Sequence, residues 1–258
     1  ASCGHLGRPL GLHIRAIGAQ LVVATTVAQT GEYMAFETYT KDCTALSDAE
    51  LTEMADLAAE CERGFDVGLL SKQREEWVLV TLIRQEETLV GYSYSTLERI
   101  GGTPAVLLGL AYVRRSEDRD DVLEAVMSAN YHRALMAFPD EDVLLGCRLV
   151  NPGAMAAFER LEYVHPRPEV EAGGEERQWG RRLAKRFGVG ASRYVAKTFS
   201  VEGDGAFPPC LDFEPLASAT IDPQVAEMFA DLDAAAGDSL ITYGWAMEEE
   251  LRSYTKPD

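Results

Sequence analysis

Seven basic side chains, Arg177, Arg181, Arg182, Lys185, Arg186, Arg193 and Lys197, fall between positions 177 and 197 with no acid among them. Arginine dominates, and its planar guanidinium matches a phosphate or carboxylate in two-point geometry, so the stripe is a candidate anion site. The alternative is a helix face whose arginines balance acidic neighbours while Trp179, Leu183 and Phe187 pack inward. Asp140-Glu141-Asp142 and Glu248-Glu249-Glu250 are the sort of acid runs that hold a divalent cation, although most such runs are solvated faces. The four histidines, at 5, 13, 132 and 165, have no metal-ligand spacing, and His132 is either a base or a core-edge residue. Gly188-Val189-Gly190 lacks the third glycine of a dinucleotide loop, and Gly91-Tyr92-Ser93-Tyr94-Ser95 lacks the second glycine of a nucleophile elbow. Cysteines at 3, 43, 61, 147 and 210 are odd in number, without a CxxC pair, which argues against a disulfide framework or a structural zinc site.

The chain has 258 residues, with 24 Lys and Arg against 42 Asp and Glu and a net charge of −18. That charge excludes a general nucleic-acid or anionic-membrane binder, because phosphate backbones and acidic headgroups would repel it. No apolar run approaches the length of a membrane span. A reduced, cytoplasmic protein is the expectation. Residues 1 to 33 carry Arg8 and Arg15 and no acid before Glu32, as in a targeting leader. They equally fit an upstream extension with Met34 as the natural start.

The elements that position these groups are partly legible. Ser47-Asp48-Ala49-Glu50 is a capping box opening a helix whose face carries Leu51, Met54, Leu57 and Ala58, and Gly64 ends it. Residues 77–84 and 88–97 read as a tight hairpin, and 105–113 as a strand buried on both faces. A helix over 121–138 and a strand over 143–150 complete a right-handed βαβ unit. Pro152 opens a short helix to about Leu161. Beyond it, 175–187 reads as a basic amphipathic helix, 192–201 as a strand, and Asp222-Pro223 opens a last helix closed by Gly237. The fold class is therefore α/β of the α+β kind: an antiparallel meander plus one βαβ unit, with a C-terminal extension.

This order, with Asn151-Pro152-Gly153-Ala154-Met155-Ala156-Ala157-Phe158-Glu159-Arg160-Leu161-Glu162-Tyr163, resembles the GNAT superfamily of acyl-CoA-dependent N-acyltransferases. The segment is similar to the family's N-P-x-A-x-x-[LA]-[YF]-E-[KR]-L-G-[FY]. The resemblance covers about residues 45–163. It implies residues 1–40 as leader or N-terminal extension, 41–165 as the GNAT-like domain, and 166–258 as a C-terminal extension. It also implies acetyl-CoA or another acyl thioester as donor, its pantetheine arm paired with the backbone of Leu110, Ala111, Tyr112 and Val113. Arg114, Arg115 and Arg119 would meet the pyrophosphate at the next helix N-terminus, and Asn151 would contact the cofactor. The acceptor would be a small-molecule amine, and a homodimer is compatible; read as an anion site, the 177–197 stripe would take a phosphorylated substrate, the phosphates of CoA or an acidic acyl carrier protein.

The sequence departs from that pattern twice. The phosphate loop, Arg114-Arg115-Ser116-Glu117-Asp118-Arg119-Asp120-Asp121, has no glycine, and carboxylates occupy four of the five positions 117–121. A carboxylate about 6 Å from a phosphate charge opposes it by roughly 3 kcal/mol at an effective dielectric of 20. Phe158 stands where the family's proton-donating tyrosine is often found, which leaves Tyr163 and Tyr112 as candidate donors and Glu98, acting through water, as candidate base. Two functions follow: an N-acyltransferase with a non-standard donor, or an inactive scaffold of the same type that binds or regulates.

Overall fold

The computed structural model describes residues 10–17, 20–29, 32–60, 64–216 and 220–253. In chain order the strands are β1 (Leu10–Ile17), β2 (Gln20–Gln29), β3 (Glu32–Asp42), β4 (Leu79–Gln85), β5 (Thr88–Ile100), β6 (Thr103–Val113), β7 (Val143–Leu149), β8 (Glu162–His165), β9 (Tyr194–Val195), β10 (Ser200–Val201), β11 (Leu211–Asp212) and β12 (Ser239–Ala246). The helices are α1 (Asp48–Ala59), α2 (Val67–Glu76), α3 (Arg119–Ala137), α4 (Gly174–Arg186), α5 (Pro223–Glu227) and α6 (Glu248–Ser253). All these strands join one mixed sheet in the order β1-β2-β3-β4-β5-β6-β11-β7-β12-β10-β9, with β8 against β12.

Local chemistry explains the elements that position the site. Ser47 and Glu50 form the reciprocal capping box at α1, the Glu50 carboxylate accepting from the Ser47 amide at 2.8 Å. Asp66 caps α2 by accepting from the Leu69 amide. The antiparallel meander β3-β4-β5-β6 leads through α3 into β7, which runs parallel to β6, as a βαβ crossover requires.

Both faces of the sheet are covered. One core forms under α3 from Val106, Leu108, Ala111, Val122, Val126 and Leu145. The other lies under α1, α2 and α4 and contains Leu51, Leu70, Trp77, Leu107, Leu110, Tyr112 and Leu183. Such two-sided burial is why β6 reads as an uninterrupted apolar run.

Side-chain parity along β6 reverses midway. Leu107 and then Leu110 and Tyr112 face the α4 side, whereas Leu108 and then Ala111 and Val113 face α3. A bulge opposite Tyr94 accounts for this: Ser93 pairs with Ala111 and Ser95 with Leu108, so Gly109 and Leu110 together oppose one residue of β5. Trp77 packs against Gly109, where an added Cβ would come within 2.2 Å of its ring.

The segment expected to be a leader or extension, residues 1–40, supplies β1, β2 and most of β3, with Met34 inside β3; residues 1–9 lie outside the described set. Residues 166–258 supply β12, which pairs with β7 along its whole length. The single strand expected over 192–201 is instead two short strands, β9 and β10, joined by a turn in which Phe199 has a φ of 61°. The helix expected from Asp222 to Gly237 ends at Glu227 and is followed by turns, with Gly237 left-handed at a φ of 95°.

Gly109→Ala should lower stability by about 1–3 kcal/mol through overpacking against Trp77. The control is Gly64→Ala, since a Cβ at Gly64 would meet no atom within 4 Å. Equal urea midpoints for the two variants would rule out the close Trp77 packing.

Candidate functional site

β6 and β7 pair directly only at Ala105–Leu144, Val106–Leu145 and Leu107–Gly146. Beyond these residues the two strands diverge, and the divergence begins where the β6 bulge sits. Parallel strands that separate inside a core leave backbone donors and acceptors on facing edges, and these need partners. β11 supplies them. It lies parallel between the two, Leu211 pairing with both Ala111 and Leu149 and Asp212 with Tyr112, while the Ala111 amide donates to the Cys210 carbonyl at 2.9 Å.

The residues after β11 are held as firmly. The Arg119 guanidinium stacks over the Phe213 ring at 3.7 Å and donates to the Glu214 carbonyl. Arg119 is only 4% exposed, and burial pushes its pKa down. Arg115 forms an ion pair with the Glu214 carboxylate. Arg114 is drawn to Glu60 of the segment after α1, through two bonds of 3.0 and 2.8 Å. All three arginines of the 114–119 loop are thus engaged, two of them by the segment that follows β11.

Asn151 ends the βαβ unit and caps the 3-10 turn Pro152–Phe158, its Oδ1 accepting from the Ala154 amide at 3.1 Å. The next glycine has a spatial role. A Cβ on Gly153 would lie 2.6 Å from the Phe213 carbonyl oxygen and 3.0 Å from Pro215, so only glycine lets residues 213–215 cross this turn.

The structure therefore brings Leu110, Ala111, Tyr112, Val113, Arg114, Arg115, Arg119 and Asn151 to one region and separates the other candidates from it. Tyr112 is buried, its ring 6.0 Å from that of Tyr92. Tyr163, in β8, is 63% exposed. Glu98 lies towards the end of β5, where its carboxylate accepts from Arg186 of α4 at 2.6 Å. Sequence reasoning missed Cys210–Pro215, Glu214 and the role of Gly153. The available signal was the Pro208-Pro209 and Pro215 bracket around Cys210-Leu211-Asp212-Phe213-Glu214, an extended apolar stretch between breakers.

No protein-family model matches the chain, and no curated protein does.

The remaining charged groups divide cleanly. Of the basic stripe, Arg177 pairs with Glu171, Arg186 with Glu98 and Arg193 with Asp204, while Arg182 stacks on Trp179 at 4.8 Å. Arg181, Lys185 and Lys197 are exposed and form no ion pair among the described residues. The two acid runs are neighbours tied by other groups: Asp140 pairs with Arg252, Glu141 with Arg99, and Asp142 accepts from the Glu248 amide. Among the described residues no group of three or more His, Cys, Asp or Glu side chains is placed to hold a metal ion. Cys43, Cys147 and Cys210 are buried, and no helix among the described residues is long and apolar enough to cross a membrane.

His132 and His165 are both buried, at 9% and 7% exposure. Burial lowers the pKa of each, reinforced by Arg133 at His132 and by Arg167 at His165, where Glu176 opposes. The unfolded chain takes up protons near the ordinary histidine value of about 6.5, which the folded chain refuses, so stability should fall as pH drops below that point. His165→Phe, which keeps the ring between Phe199 and Tyr243, should flatten the dependence of the urea midpoint between about pH 7 and pH 5.5. An unchanged slope would clear His165 of that role.

The Ala111 amide reports on whether β11 is seated. Arg119→Ala removes the bond to Glu214 and the stacking on Phe213, interactions worth about 1.5–3 kcal/mol together. Hydrogen exchange at Ala111 should accelerate by about tenfold to a hundredfold, with amides of β4 unchanged. Uniform acceleration across the sheet would instead mean global destabilisation.

Proposed function

We propose that this chain is a GNAT-like scaffold in which a segment of the protein itself occupies the place of an acyl thioester, and that it works as a binding or regulatory protein in the cytoplasm. The observation that carries the reading is β11 lying between β6 and β7. An extended thioester arm would need the backbone groups of Leu110–Val113 on the side where Ala111 already bonds Cys210. A pyrophosphate would need Arg115 and Arg119, which hold Glu214. The strand stands in for the arm and the Glu214 carboxylate for the anion.

Displacing this segment is costly. Exposing the Phe213 ring costs about 1.5–3 kcal/mol, its contact with Arg119 adds about 0.5–2, and the half-exposed Arg115 ion pair adds at most about 1. A competing ligand would therefore lose about thirtyfold or more in apparent affinity. The alternative reading, an N-acyltransferase using acetyl-CoA or another thioester with an amine acceptor, needs that displacement before any chemistry. It also needs a proton donor and a base, whereas Tyr112 is buried, Tyr163 is exposed on β8, and Glu98 is paired with Arg186.

A binding role uses surface that the fold leaves free. Arg181, Arg182 and Lys185 stand exposed on α4 without ion pairs among the described residues. In a chain of net charge −18 they form a local basic face, and its charge fits an acidic protein partner.

Calorimetric titration with acetyl-CoA and with free CoA at low salt tests the reading. The expected result is no saturable heat at millimolar ligand, together with no release of free thiol when acetyl-CoA and a panel of primary amines are incubated with the protein. Saturable binding of acetyl-CoA at micromolar concentration would overturn it.

A further inference from the structure

A second concavity lies away from β11, between the segment after β8, the β9–β10 hairpin and the helix α5 with its following turn. Its volume is about 490 Å³, within the range of small-molecule sites. Val201 and Leu240, buried in β10 and β12, contribute to its floor, and Met228 and Leu232 close the side nearest α5. Val170 and Val195 border it at 43% and 50% exposure, so apolar surface here is left in water.

The charges around this floor are arranged by wall. Arg167 and Lys197 stand on the side of the β8 exit and the hairpin, Glu227 and Asp231 on the side of α5, and Glu202 at the end of β10. None of these five is in an ion pair among the described residues. Asp238, the remaining acid of the lining, is consumed internally, accepting from the Gly203 and Asp233 amides. Arg167 and Glu227 also border a smaller neighbouring depression together without bonding each other. Both cation-bearing segments pass through left-handed backbone at a residue other than glycine, Glu169 with a φ of 57° and Phe199 with 61°. Strain of that kind costs about 1–3 kcal/mol per residue and persists where the surrounding structure fixes it. In each segment the left-handed residue lies two positions after the cation.

We infer that this cleft binds a small zwitterion with an aliphatic body, of the amino-acid class, its carboxylate towards Arg167 and Lys197 and its ammonium towards Glu227 and Asp231. An apolar floor alone would accept any greasy molecule. Unpaired charges of opposite sign on facing walls select one that carries both an acid and an amine, because a ligand lacking either leaves one wall desolvated and unmatched. With three free carboxylates against two cations, a simple organic acid is the least suited. This site is separate from the β11 groove, and its occupancy does not depend on whether that groove takes a thioester.

Calorimetry or saturation-transfer NMR on the full chain at low salt tests it with three probes that share one branched aliphatic body: L-leucine, 3-methylbutylamine and 4-methylpentanoate. Leucine should bind with a dissociation constant in the millimolar range or below, and each truncated probe should bind at least about tenfold more weakly. Arg167→Gln with Lys197→Gln, and separately Glu227→Gln with Asp231→Asn, should each weaken leucine about tenfold or more. Lys72→Gln, on the exposed face of α2, should leave binding unchanged. These exposed substitutions should leave the circular dichroism spectrum intact. Absence of leucine binding at about 10 mM, a truncated probe binding as tightly as leucine, or binding indifferent to both double substitutions would each overturn the assignment.

Discussion

The separation of β6 from β7 is the constraint around which the rest of this molecule is organised. Two parallel strands that part inside a core expose rows of amides and carbonyls to an environment without water, and each such group left unpaired is destabilising. The bulge at Gly109–Leu110 begins the separation by bending β6 and reversing its parity. Direct pairing stops at Leu107, and beyond the bulge the gap is closed by β11, where Leu211 pairs with both neighbours and Asp212 with Tyr112. Gly153 makes the passage possible, Arg119 seals its far end over Phe213, and Arg115 neutralises Glu214. Each is explicable only as a response to the gap.

Charge is handled in the same local way. In a chain with net charge −18, most of the arginines in ion pairs face a carboxylate from a distant segment. Arg84 with Glu53, Arg114 with Glu60, Arg186 with Glu98 and Arg252 with Asp140 each join separate elements. Pairs this exposed add little stability individually, and their effect is mainly on which neighbours can approach. The cations of α4 and the charged groups of the cleft beside α5 stay outside these pairs.

The legible parts of the sequence were those set by local rules. Ser47 and Glu50 announce a helix start because both groups of the capping box lie within one turn. Asn151-Pro152 does the same for the 3-10 turn, and the long apolar strands on either side of a 19-residue helix identify the βαβ unit. The illegible parts depend on distant partners. β11 is two residues long, and no periodicity exists in two residues; only Ala111 and Leu149 make it a strand. The bulge is silent because β6 is apolar in both parities, so a one-residue shift leaves the pattern unchanged. β12, Ser239-Leu240-Ile241-Thr242-Tyr243-Gly244-Trp245-Ala246, is strand-like in composition but follows turns that read as a continuing helix. At the site, the arginine-rich loop was visible, whereas its partner Glu214 lies about 100 positions away and had no local mark.

That distance has a consequence for how the protein is made. A chain emerging from the ribosome can assemble β3 to β7 and α3 well before residue 210 is synthesised, and during that interval the facing edges of β6 and β7 are open. Local contacts form early, whereas the pairing of Leu211 with Ala111 must close a loop of 100 positions. The nascent protein therefore passes through a stage in which its most adhesive backbone is uncovered, and an unpaired strand edge at that stage is a template for any other extended chain nearby. Two prolines immediately before Cys210 keep the closing segment extended as it emerges, shortening the search for its slot.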